Sequence, residues 1–134
     1  MGRMEKRTVL VVIPERGRRE EVASWIEGEH DTMTCPGPQG PEACLGLRGP
    51  RCPLAGAADL VILDMGEADD PIGGTVAGWE LLNAYLDLGL PVIALARPGD
   101  TMMRGPRNAV VPLPRAAGRQ EIVRAVDRAM AATV

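Results

Sequence analysis

The sequence predicts an α/β domain built on a doubly wound, five-stranded parallel sheet in the order 2-1-3-4-5. Three observations carry that expectation. Short, wholly apolar runs rich in β-branched residues recur along the chain, as in strands buried on both faces. Between them lie stretches whose apolar residues fall at helical spacing, as in helices that cover a sheet. Parallel strands need crossovers, and right-handed crossovers leave few topologies, of which this one is the most economical.

Each element follows from its residues. Thr8-Val-Leu-Val-Val-Ile13 is the first strand, and Pro14 ends it. A helix is expected over residues 18–29, with Val22, Trp25 and Ile26 on one stripe and Glu20 and Glu21 in its first turn. A short strand over residues 31–35 follows. Asp59-Leu-Val-Ile-Leu-Asp64 is the second strong strand, trailed by an acidic, glycine-rich loop containing Asp69 and Asp70. The helix over residues 76–88 places Trp79, Leu82 and Leu86 on one stripe, with Gly89 as its cap. Leu90-Pro-Val-Ile-Ala-Leu-Ala96 and residues 109–113 are the remaining strands. Ile122, Val126 and Met130 define a closing helix. The expected core is Val9, Val11, Leu60, Ile62, Val92, Ile93 and Val110, with four substantial helices around the sheet.

Composition bounds the function. A chain of 134 residues is expected to be a single domain, residues 1–134, with one core. A net charge of −3 argues against sequence-independent nucleic-acid binding, which needs clustered positive charge. The arginines at 16, 18 and 19 are neutralised locally by Glu15, Glu20 and Glu21. No apolar run is long enough to span a bilayer, and the charged start Met1-Gly-Arg-Met-Glu-Lys-Arg7 does not read as a secretory signal. A cytoplasmic location is expected, with no nucleic-acid or membrane partner. No enzyme is expected either: neither glycine-rich phosphate loop is present, and a single histidine leaves few general bases. Ligand binding in the crevice at the strand ends stays open as an alternative.

The ordered segments Asp59-Leu-Val-Ile-Leu-Asp64, Gly78-Trp79-Glu80-Leu81-Leu82, Pro91-Val-Ile-Ala-Leu95 and Val111-Pro-Leu-Pro114 resemble the receiver domain of bacterial response regulators. The resemblance implies a flavodoxin-like fold with Asp64 at the phospho-acceptor position. In that family an acidic pair after the first strand holds Mg²⁺ beside the acceptor. A hydroxyl ends the fourth strand and a lysine ends the fifth. Here the acidic pair falls on Ile13-Pro14-Glu15, so that Glu15 is the one carboxylate left; the hydroxyl falls on Ala96 and the lysine on Leu113. Asp64 alone matches. The expected function is that of a degenerate pseudo-receiver, a non-catalytic signalling or regulatory protein that works through contact with a protein partner or a second copy. Two alternatives stand beside it: a response regulator phosphorylated on Asp64, and a flavodoxin-like protein that binds a small molecule or does redox chemistry.

Between the second and third strands, an irregular loop over residues 35–53 replaces the expected second helix. Four prolines and several glycines before Cys52 remove donors and add entropy, so its backbone cannot order it unaided. The loop carries Cys35, Cys44 and Cys52, with eight and seven residues between them, and His30 lies five residues before Cys35. Cys35 and Cys52 each precede a proline, as ligands in iron–sulfur loops often do. A Cys₃His set is therefore available for zinc or an iron–sulfur cluster, and metal binding supplies ordering free energy. The spacing matches no established metal motif. A disulfide or thiol redox switch, and inert buried thiols, remain open beside the metal reading.

Overall fold

Why these runs become strands is visible in what covers them. The computed structural model describes residues 7–35, 57–65, 76–96 and 110–132. Five parallel strands, β1 (Thr8–Val12), β2 (Asp31–Cys35), β3 (Leu60–Asp64), β4 (Val92–Ala96) and β5 (Val110–Pro114), form one sheet in the order β2-β1-β3-β4-β5. Helices α1 (Arg16–Ile26), α2 (Val76–Asp87) and α3 (Arg119–Ala132) alternate with them. The predicted parallel sheet and strand order are those observed, and three of the four expected helices fall among the described residues. Val9, Val11, Leu60, Ile62, Val92, Ile93 and Val110 are all buried, as the apolar runs require.

Side chains alternate across the pleat, and the core divides accordingly. Leu10, Val12, Val61, Leu63, Val92 and Ala94 pack with Leu82 and Tyr85 of α2 on one face. Val9, Val11, Leu60, Ile62, Ile93 and Leu95 pack on the other with Val22 and Ile26 of α1 and Ile122, Val126 and Met130 of α3. β1 and β3 lie inside the sheet and are buried over nearly their whole length, whereas β5 is an edge strand. That edge is where Pro112 and Pro114 are tolerated, because a missing N–H on the outer side breaks no ladder.

The helix ends depart from the pattern-based bounds for local reasons. α1 begins at Arg16 rather than residue 18 because the Glu15 carboxylate caps it, accepting from the N–H of Gly17 at 3.0 Å and of Arg18 at 2.6 Å. Past α2, Gly89 adopts φ +81°, donating to the Leu86 carbonyl at 2.9 Å while the Leu90 N–H reaches Tyr85 at 3.1 Å. These two bonds form a Schellman cap, and its left-handed residue favours glycine. Before α3, the Gly118 N–H donates to the Glu121 carboxylate at 3.1 Å, one half of a capping box. Of the cysteine-bearing loop, all but Cys35 lies outside the described residues, as do residues 97–108 between the expected fourth and fifth strands.

Candidate functional site

The carboxyl ends of the parallel strands gather the residues of interest, since every strand runs toward the same edge. Asp64 is the last residue of β3 and continues the row of Leu60 and Ile62, so its side chain falls on the face covered by α1 and α3. It is the one buried charged residue among those described. A buried carboxylate needs a counter-charge and hydrogen bonds, and it has both. The Arg115 guanidinium donates from Nε to Oδ1 at 2.9 Å and from Nη2 to Oδ2 at 3.2 Å. Asp64 is 7% exposed at the side chain and Arg115 33%. This is the fork-to-fork geometry for which a guanidinium is suited and an ammonium is not.

Sequence reasoning missed Arg115. The strand pattern directs attention to Leu113, which pairs with Leu95 in the register row that also contains Asp64 and is partly buried against the core. Beyond Pro114 the chain turns, with the Ala117 N–H bonded to the Pro114 carbonyl at 3.0 Å. That turn folds Arg115 back over the end of β3, so a basic group reaches Asp64 from two residues past the lysine-like position. The signal that could have found it is the orphan status of Asp64 itself. A strand-end carboxylate on a buried face requires a cation, and Arg115 is the first basic residue after β5.

The end of β1 is arranged differently. Glu15 is exposed, and its carboxylate caps α1. Arg19 sends Nη1 to the carbonyls of Ile13 at 2.8 Å and Pro14 at 3.2 Å. A guanidinium thus already satisfies the backbone acceptors that follow β1. Mg²⁺ demands a compact set of oxygen donors, with carboxylates among them. The described residues do not fit it: Asp64 is chelated by Arg115, Glu15 is turned to the helix, and Arg19 sets a positive charge on the carbonyls that follow β1. Asp69 and Asp70 lie outside the described residues. Ala96 ends β4 opposite Pro114 of β5, so no hydroxyl stands at that position.

His30 and Cys35 flank opposite ends of β2. At about 3.3 Å per residue, roughly 16 Å of strand separates them, too far for one ion to take both. His30 lies instead against α3, with Nε2 4.0 Å from Asp127 Oδ1 and Nδ1 buried without a hydrogen-bond partner among the described residues. Cys35 is buried on the α2 face of the sheet, beside Val12 and Leu63. Cys44 and Cys52 lie outside the described residues. Among the described residues no group of three or more His, Cys, Asp or Glu side chains is placed to hold a metal ion. No described helix is long and apolar enough to cross a membrane.

Comparison with known proteins places the architecture. No protein-family model and no curated protein matches the sequence. Among solved structures, the receiver domain of the Francisella response regulator 1452 aligns at a TM-score of 0.64 and 18% identity, over 96% of this chain and 100% of that one. Vibrio cholerae chemotaxis protein CheY4 aligns at 0.63 and 15% identity, over 93% and 99%. NtrX from Brucella abortus, in complex with ATP, aligns at 0.67 and 20% identity over 96% of this chain but 28% of its own length. The present chain therefore spans little more than a quarter of NtrX and the whole of the isolated receivers. With its strand order, register and strand-end aspartate, this chain has the fold of response-regulator receiver domains.

Proposed function

We propose that this protein is a receiver-like regulatory module that works by protein–protein contact, with Asp64 held as an ion pair rather than used as a phosphoryl acceptor. One observation carries the reading: both oxygens of Asp64 are taken by Arg115. Transfer of a phosphoryl group to a carboxylate needs an oxygen lone pair directed at phosphorus and cations around the equatorial oxygens. Chelation by a guanidinium draws charge from that nucleophile and fixes both oxygens in the wrong task. Glu15, the single acid left after β1, is committed to capping α1, which removes the usual means of gathering Mg²⁺. The absence of a hydroxyl at Ala96 and of a lysine at Leu113 supports the same reading. What the fold retains is a rigid sheet with helical faces, a surface suited to a partner protein or a second copy.

The test is incubation of the purified protein with a small-molecule phosphodonor and Mg²⁺, followed by intact-mass measurement. The expected mass is unchanged. A phosphoryl adduct that disappears in Asp64→Asn overturns the proposal and establishes the phosphorylated response-regulator alternative.

A further inference from the structure

The turn that carries Arg115 is not held by its own short hydrogen bond alone. Arg18, in the first turn of α1, sends Nη2 across to two of its carbonyls, those of Arg115 at 2.8 Å and Ala117 at 2.9 Å. The partners are 97 and 99 residues apart in sequence, so no local folding rule brings them together. Arg18 is itself held on several sides. Its backbone N–H donates to the Glu15 carboxylate at 2.6 Å, and its Nη1 lies 3.5 Å from Glu21. Its guanidinium carbon sits 5.6 Å from the centre of the Trp25 ring, within reach of the ring's negative face. The Arg18 side chain is 21% exposed, so these contacts are made largely out of water, where a missing one is felt.

The contacts form a continuous series: Trp25 packs on Arg18, Arg18 grips the Arg115 backbone, and the Arg115 side chain chelates Asp64. We propose that Arg18 is a positioning residue that seats Arg115 on Asp64, and that it thereby couples the α1 face around Trp25 to the carboxylate at the end of β3. The inference rests on the reading of Asp64 and Arg115 as the site. It deepens that reading by naming the residue that positions the pair. Coupling of this kind is reciprocal. Whatever loosens the Asp64–Arg115 pair is felt at Trp25, and a partner that draws Arg18 away from the turn loosens Arg115.

Protein labelled with fluorotryptophan gives two indole signals, one from Trp25 and one from Trp79, assigned with Trp79→Phe. In the folded protein, Asp64→Asn should shift the Trp25 signal although the two residues share no contact described above. Arg115→Ala should shift it in the same direction. In a double-mutant cycle, Arg18→Ala and Asp64→Asn should be non-additive, by about threefold or more in the unfolding equilibrium constant. Arg18→Lys keeps the charge but cannot reproduce the planar fork, and should behave as Arg18→Ala does. An unmoved Trp25 signal in Asp64→Asn overturns the proposal, and that variant, close in shape to wild type, needs no help to fold. Additive stabilities, or full rescue by Arg18→Lys, overturn it as well. The phosphodonor experiment is separate: an adduct on Asp64 removes the ion-pair reading, while the spectroscopic coupling stands or falls by itself.

Discussion

Two carboxylates follow strands at the carboxyl edge of this sheet, and they do opposite work. Glu15, after β1, is exposed and accepts two backbone N–H groups. Asp64, at the end of β3, is buried and accepts a guanidinium on both oxygens. The difference teaches that a carboxylate's task is set by the unpaired partners around it. After β1 the chain passes directly into α1, whose first N–H groups have no intrahelical acceptor. At the end of β3 the side chain continues a core row, where the charge must be paired. In a receiver-like fold these two places are expected to cooperate. Here Glu15 is satisfied by the backbone of α1 and Asp64 by the guanidinium of Arg115.

The comparison breaks most decisively at Arg115. Arg115→Ala leaves the Asp64 charge buried without its chelating partner. It should cost about 3 kcal/mol in urea denaturation, the low end of the range for breaking a buried pair because Arg115 is one-third exposed. The double replacement of Asp64 by Leu and Arg115 by Met should recover most of that loss, because exchanging both charges for apolar groups of similar volume is commonly neutral. A single Arg115→Ala variant as stable as wild type would remove the claim that the pair governs this end of the sheet.

Glu15→Ala sharpens the other half of the comparison. Losing the cap of α1 should cost about 1 kcal/mol, measured by the same denaturation. A loss as large as that of Arg115→Ala would mean that Glu15 belongs to the buried site after all. Gly89→Ala measures a cap that uses no side chain. No heavy atom lies within 4 Å of where a Cβ would stand, so the cost of φ +81° is purely conformational. It should be about 1 kcal/mol, which places the backbone cap beside the carboxylate cap in size. Thermal or urea unfolding that shows no change would deny the left-handed conformation at that residue.

Much of the fold is legible in the residues themselves. Thr8–Val12, Leu60–Asp64 and Val92–Ala96 are apolar runs too short for helices, and they are the strands at the centre of the sheet. Ile122, Val126 and Met130 recur at helical spacing and are buried together. Even β2, though largely polar and only partly buried, lies over the expected residues 31–35, because β1 offers it a complete ladder from Thr8↔Asp31 to Val12↔Cys35. The site was less legible. Asp64 stood out because it ends an apolar strand at the position that the receiver resemblance gives to the acceptor. Arg115 did not, because it lies past two prolines in a turn where period and propensity say nothing. His30 and Cys35, adjacent by spacing in the sequence, stand at opposite ends of β2, because five residues of extended strand carry the two apart, whereas the same interval in a loop need not.

The sequence by itself determined the layers, the strand directions and the position of one buried acid, since hydrophobic period and burial are local properties read residue by residue. Tertiary structure alone decided what that acid would meet. Asp64 and Arg115 are 51 residues apart, and Arg18 and Ala117 are 99 apart; only a parallel sheet that brings β3 and β5 to a common edge, with α1 packed across it, puts them within hydrogen-bond distance. Electrostatic pairing acts over a few ångströms of space, and distance along the chain carries no record of it.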